Sequence, residues 1–219
     1  MSEKGIVSWD RIFYGSVVYV CLGLLTGIFN KSLSFVFWIM LISMWSEIPG
    51  FININLNEIN ISEFFLVLIA IHFGGIIGGL LGAIHCWIMP LYSRMWKPTF
   101  SIFAGISTFI AVGLSSIFYF NVFNQNLLWT LYAYTAILFV SHGIMTLFVT
   151  TGEFFEEVRL GIISLLLAYL TNLMYVYALE DWAMGLFKPL PHFPTSYKLI
   201  IIAVMLAIGG VALVNRKKK

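Results

Sequence analysis

Charged residues are missing from long reaches of this chain, and those reaches have the length of membrane helices. Apolar, uncharged runs cover 12–29, 64–92, 100–122, 127–150, 160–179 and 199–214. A helix needs about 20 predominantly apolar residues to cross a bilayer, where only helices and closed barrels satisfy their backbone groups. Barrel strands would alternate over about 10 residues, whereas these runs are continuous, so the predicted class is all-α. A seventh run, 33–46, is shorter and stops before Glu47 and Pro49. It either spans with help from 48–52 or enters and turns back. The pattern predicts one integral, multi-pass membrane domain over 1–219, with about seven transmembrane helices, or six if 33–46 is re-entrant. No repeat relates the two halves, and no polar low-complexity stretch suggests a linker.

Basic residues orient the bundle. Arg94 and Lys97 fall in one connection, Arg159 in another and the 216–219 cluster in a tail, with Lys31 after the first run. The segment 50–62 carries Glu58 before Ser62, and 121–126 carries no charge. With seven crossings, the positive-inside rule predicts an outer N-terminus and a cytoplasmic C-terminus. Lys188 and Lys198 then fall outside, against the rule. A re-entrant 33–46 would move the N-terminus inside.

Composition narrows the picture. The 219 residues are 60% hydrophobic and 10% charged, with mean hydropathy +0.95. Soluble domains run about 45–50% apolar and about 25% charged. Lipid is therefore the expected solvent for most of the surface, and seven Trp with ten Tyr suit two aromatic belts. A net charge of +2, without a basic patch interleaved with aromatics, gives no reason to propose nucleic acid. The basic tail reads as a positive-inside anchor, with contact to anionic headgroups as an addition. Cys21 and Cys86 lie in separate apolar runs without a CxxC pair, which predicts packed side chains and no zinc or dithiol chemistry. The N-terminal run reads as a retained span. The alternation FININLNEINI at 51–61 predicts an extended connector, and three prolines hold 188–197 extended.

One stretch raises a chemical question. IHFGGIIGGLLGAIH places Gly74, Gly78 and Gly82 at every fourth position, beside a second ridge of Gly75, Gly79 and Ala83. Glycine costs a helix about 1 kcal/mol in water relative to alanine. In lipid that penalty weakens, and a small-residue face lets another helix approach closely. Tight packing is the main expectation, and room for a flat cofactor or a pore is the sharper one. His72 and His85 are 13 residues apart, which in one helix separates them by about 220° and about 20 Å. One metal cannot take both, and two stacked haems prefer a spacing of 14. A His85–His142 pair from two helices, with His72 as a third candidate, is the arrangement that would hold haem b. His192, in the proline-rich stretch, is expected to face solvent.

Glu153, Glu156 and Glu157 form the densest acidic spot, suited to a divalent ion or to docking a partner subunit. Glu47 and Asn172 are candidates for a polar path, since ionisable and polar groups inside membranes are costly and often functional. Glu63 is explained by the dipole of the helix it opens. HExxH, P-loop and GxSxG motifs are absent. The leading expectation is a non-enzymatic membrane protein: a channel or carrier for a small solute or ion, or the membrane subunit of a larger complex. A haem b or quinone-handling redox subunit and a lipid-processing enzyme built on Glu153–Glu157 are the alternatives. Expected partners are the lipid bilayer and either further copies of the chain or other membrane subunits.

Overall fold

The computed structural model describes residues 8–49, 61–92, 98–149 and 154–187, and among these there is helix and turn but no strand. The helices are α1 (Trp9–Phe29), α2 (Lys31–Ser46), α3 (Ser62–Phe73), α4 (Gly75–Tyr92), α5 (Pro98–Ile117), α6 (Leu127–Val149) and α7 (Phe154–Phe187), with a π turn at Phe118–Val122 after α5. The extended connector expected at 51–61 (all but its last residue), the proline-rich stretch, the run 199–214 and the basic tail lie outside the described residues.

A single residue, Asn30, separates the first two helices. Its backbone is extended, its N–H donates to the Thr26 carbonyl at 2.7 Å, and its Oδ1 accepts the Leu33 N–H at 3.0 Å. Asparagine is among the best N-caps because it satisfies a donor that the first helical turn leaves unpaired. The chain then doubles back. Ser34 Oγ donates to the Gly23 carbonyl at 2.6 Å, and Trp45 Nε1 donates to Ser16 Oγ at 3.0 Å. These pairings step away from Asn30 on both helices, so α1 and α2 are antiparallel.

The run 64–92, expected as one span, is two helices folded against each other at Gly74. That residue has φ 104° and ψ 147°, a region essentially confined to glycine. Its N–H still donates to the Ala70 carbonyl at 3.0 Å, and its own carbonyl accepts from Ile77 and Gly78 at 3.1 Å each. One helix thus ends and the next begins at a single residue. A Cβ on Gly78 would lie 2.5 Å from Ala70 Cβ, and one on Gly82 would lie 3.6 Å from Leu66 Cδ1. Both pairings are symmetric about position 74, which makes α3 and α4 an antiparallel hairpin. The apolar pattern held no sign of this break, because glycine permits a turn in a helix that could equally have continued.

Ten of the twelve residues of α3 are buried. A helix that is apolar on every side belongs inside a bundle. At about 1.5 Å per residue α3 is about 18 Å long, well short of a hydrocarbon core of about 30 Å. Next to it, α4 and α5 pack antiparallel through the second glycine ridge. A Cβ on Gly75 would meet the Gly113 carbonyl oxygen, one on Gly79 would lie 2.7 Å from the Phe109 carbonyl oxygen, and one on Gly105 would lie 3.0 Å from that of Ala83. Contacts at every fourth position on both helices bring the two backbones together as small-residue interfaces do.

After the π turn, Asn124 and Gln125 adopt positive φ (48° and 64°), and the chain reverses into α6. Asn126 caps that helix by accepting the Trp129 N–H at 3.1 Å. Along α7, Tyr175 packs near Phe64 and Phe187 near Phe73, so α7 runs parallel to α3. Large apolar side chains project outward from the bundle, among them Phe13, Leu24 and Phe29 on α1 and Leu166, Leu170 and Met174 on α7. Three segments are long and apolar enough to cross a membrane: Trp9–Phe29, Ser101–Val122 and Ile162–Phe187. These features are consistent with a helical membrane protein.

Candidate functional site: a buried carboxylate–imidazole–hydroxyl cluster

Where α2 ends, Glu47 occupies the C-cap position and its side chain turns inward, leaving the residue 3% exposed. A carboxylate at a helix C-terminus meets the unfavourable end of that dipole. The N-terminus of α3 compensates, because Ser62, its first residue, donates from Oγ to Glu47 Oε1 at 2.6 Å. From α4, His85 Nε2 lies 3.1 Å from the same oxygen. Ser62 and His85 are 2% and 4% exposed. Three helix segments therefore bring one acid, one imidazole and one hydroxyl together away from water.

The cluster lies inside the bundle. From His85 to Tyr92, α4 continues for about 10 Å. Ile12 of α1 and Met44 of α2 are buried beside it, with Leu41, Ile48 and Ile88 packed on them. Moving a bare charge into such surroundings is costly, so buried charges are paired or neutralised. Here the Ser62 hydroxyl and the His85 ring both lie within hydrogen-bond distance of the carboxylate.

Three buried polar atoms have no hydrogen-bond partner among the described residues: His85 Nδ1, Ser43 Oγ and Ser107 Oγ. Ser43 stands one helical turn before Glu47. Ser107 lies between Gly105 and Phe109, the residues that meet Ala83 and Gly79, and is therefore level with Leu81, one turn from His85. Leaving a buried polar atom unpaired costs about 1–3 kcal/mol, and such groups concentrate at functional positions. Beside His85, Cys86 Sγ lies 3.3 Å from Thr108 Oγ1. Cys86 and Tyr175 both sit within the electrostatic reach of Glu47 and Glu63.

The remaining candidate residues are dispersed. His72 sits at the hairpin tip, its ring 4.7 Å from that of Phe73 and 5.6 Å from that of Phe187, at the opposite end from His85. His142 lies in α6 and Glu156 and Glu157 in the first turn of α7, with side chains outside the described set, as is the whole of Glu153. Asn172 is buried and donates from Nδ2 to Thr135 Oγ1 at 2.8 Å, joining α7 to α6. Gly75 and Gly79 abut α5, Gly78 abuts α3, Gly82 lies between Thr108 and Leu66, and Gly74 makes the hairpin turn. Ser62, the first residue of α3, is not among the residues that the sequence pattern singles out.

Chemically, the cluster suits proton or cation handling better than nucleophilic attack. An activated serine hydrogen-bonds to its base, whereas here Ser62 and His85 both address the carboxylate. Among the described residues no three His, Cys, Asp or Glu side chains gather as a metal site. Comparisons with protein-family models, curated proteins and solved structures find no match to this chain.

Proposed function

We propose that this chain is a multi-pass membrane carrier or channel for a small ion or solute, without enzymatic chemistry, and that Glu47, Ser62 and His85 form its binding site. The observation that carries this reading is the buried Glu47 Oε1, which receives Ser62 Oγ at 2.6 Å and His85 Nε2 at 3.1 Å. An ionisable residue within a membrane bundle marks a solute or ion pathway by default. Packing alone would be served better by an apolar side chain, since buried ion pairs contribute little net stability.

The hairpin at Gly74 supports a different orientation from the one the residue pattern predicts. It adds a reversal, so the starts of α1, α3 and α5 share one end of the bundle with the ends of α2 and α4. That end holds Arg11, while Lys31 lies at the other; in the sequence Arg94 and Lys97 fall between α4 and α5. The positive-inside rule then places the N-terminus in the cytoplasm. A further crossing by 199–214 would return the basic tail to the same side.

Reconstitution into proteoliposomes tests the function, with entrapped reporters for protons, Na⁺ and K⁺ and light scattering for small neutral solutes. Flux in wild type that falls at least tenfold in Glu47→Gln supports the reading. Flux absent for every probe, or unchanged in Glu47→Gln, overturns it. A reduction-sensitive haem spectrum in the purified protein would instead favour the haem b reading.

A further inference from the structure

We infer that the species taken up by this site is a proton, carried on Nδ1 of His85 with Glu47 as its fixed counter-charge. This deepens the transport reading and rests on it. With Glu47 ionised, the short contact is made by His85 Nε2–H donating to Oε1, which leaves the Nδ1 lone pair as a bare base. That atom is buried and has no donor among the described residues. The cluster then carries one negative charge, and no Lys or Arg among the described residues forms an ion pair with it. A proton delivered by hydronium forms the Nδ1–H bond and releases water. The imidazole becomes imidazolium, and the pair becomes neutral overall. Loss of the proton restores the first state, so one residue cycles between two charge states beside a partner that holds its ring in place.

The donor set argues for a proton over an alkali cation. Hard cations require a shell of oxygen ligands, whereas the open atom here is a ring nitrogen and the hydroxyl of Ser62 already spends its hydrogen on the carboxylate. Ser43, one turn before Glu47 on α2, and Ser107 of α5 are buried hydroxyls that can both give and accept a proton. The other titratable side chains around the pair are Tyr19 of α1, Glu63 of α3, Cys86 of α4 and Tyr175 of α7. None of these four is a cation; Arg11, which precedes Ile12 on α1, is exposed, and solvent screens its charge from the buried pair.

The test uses the full chain in lipid nanodiscs, labelled with ¹⁵N-histidine and titrated by solid-state NMR. His72, His142 and His192 are replaced by Asn in one sample, so that His85 is the remaining signal, and His85→Asn in a second confirms the assignment. The expected result is a His85 signal that gains the Nδ1 proton as pH falls, with a midpoint at least about one pH unit lower in Glu47→Gln, a tenfold loss of proton affinity. A His85 that keeps one protonation state across the titration, or a midpoint unmoved by Glu47→Gln, overturns the proposal. Titration without flux in proteoliposomes would uphold the proton site while refuting transport. Flux with a non-titrating His85 would do the reverse.

Discussion

Replacing Gly75 by alanine should weaken the bundle, while the same change at Gly113, directly across the contact, should not. A Cβ at position 75 would run into the Gly113 carbonyl oxygen, whereas a Cβ at position 113 would lie 3.6 Å from that of Gly75. Ordinary contact begins near 3.4 Å, so Gly75→Ala forces α4 and α5 apart locally by on the order of 1 Å. Backbone atoms cannot yield as a side chain would. A gap of that size forfeits a large share of the dispersion energy along the ridge, and overpacking typically costs about 1–3 kcal/mol. Alanine returns up to about 1 kcal/mol of helix propensity at either site. Gly113→Ala keeps that gain, and the two variants should differ by about 2 kcal/mol. Thermal unfolding followed by intrinsic tryptophan fluorescence in one detergent would resolve this, with Gly75→Ala lower by about 4–8 °C on the scaling for domains of this size. Equal melting temperatures would refute the backbone contact and, with it, the antiparallel register of α4 and α5.

Other consequences are independent of that contact. Gly74→Ala places a side chain at φ 104° and should cost about 1–3 kcal/mol; an unchanged melting temperature would mean that the helix runs straight through this residue. Asn172→Val removes a buried interhelical hydrogen bond and should cost about 0.6 kcal/mol, with about 1.7 as the upper range for such bonds in membranes, so a larger loss would assign Asn172 a role beyond joining α6 to α7. In a background with Cys21→Ser and Cys86→Ala, single cysteines at Trp9 and Asn124 should react with an impermeant maleimide from opposite sides, Asn124→Cys in intact cells and Trp9→Cys after permeabilisation; labelling from the same side would contradict the alternating helix directions.

What could be read from the residue pattern was local. The lack of charge and the continuous apolar runs define helix without strand, and the four-residue spacing of Gly75, Gly79 and Ala83 defines a ridge of small residues. Which helix meets the ridge is a tertiary fact. The break at Gly74 was hidden because 64–92 is apolar throughout, and a turn buried among other helices needs no polar residues to announce it. That hidden reversal also underlies the orientation we propose, since orientation depends on the parity of crossings. Glu47 drew attention as a charge beside a short apolar run, and His85 as a histidine among glycines. Their meeting joins positions 38 residues apart through a hairpin that no periodicity marks, and Ser62 entered the cluster from what reads as an ordinary helix start.

Proton flux in proteoliposomes carrying an entrapped pH-sensitive dye tests the buried pair most directly, comparing wild type with Glu47→Gln, His85→Asn and the double variant. Two groups that act as one unit are strongly non-additive, so either single change should abolish most of the flux and the double change should remove little more. Flux that survives Glu47→Gln, or losses that simply multiply in the double variant, would contradict a shared site.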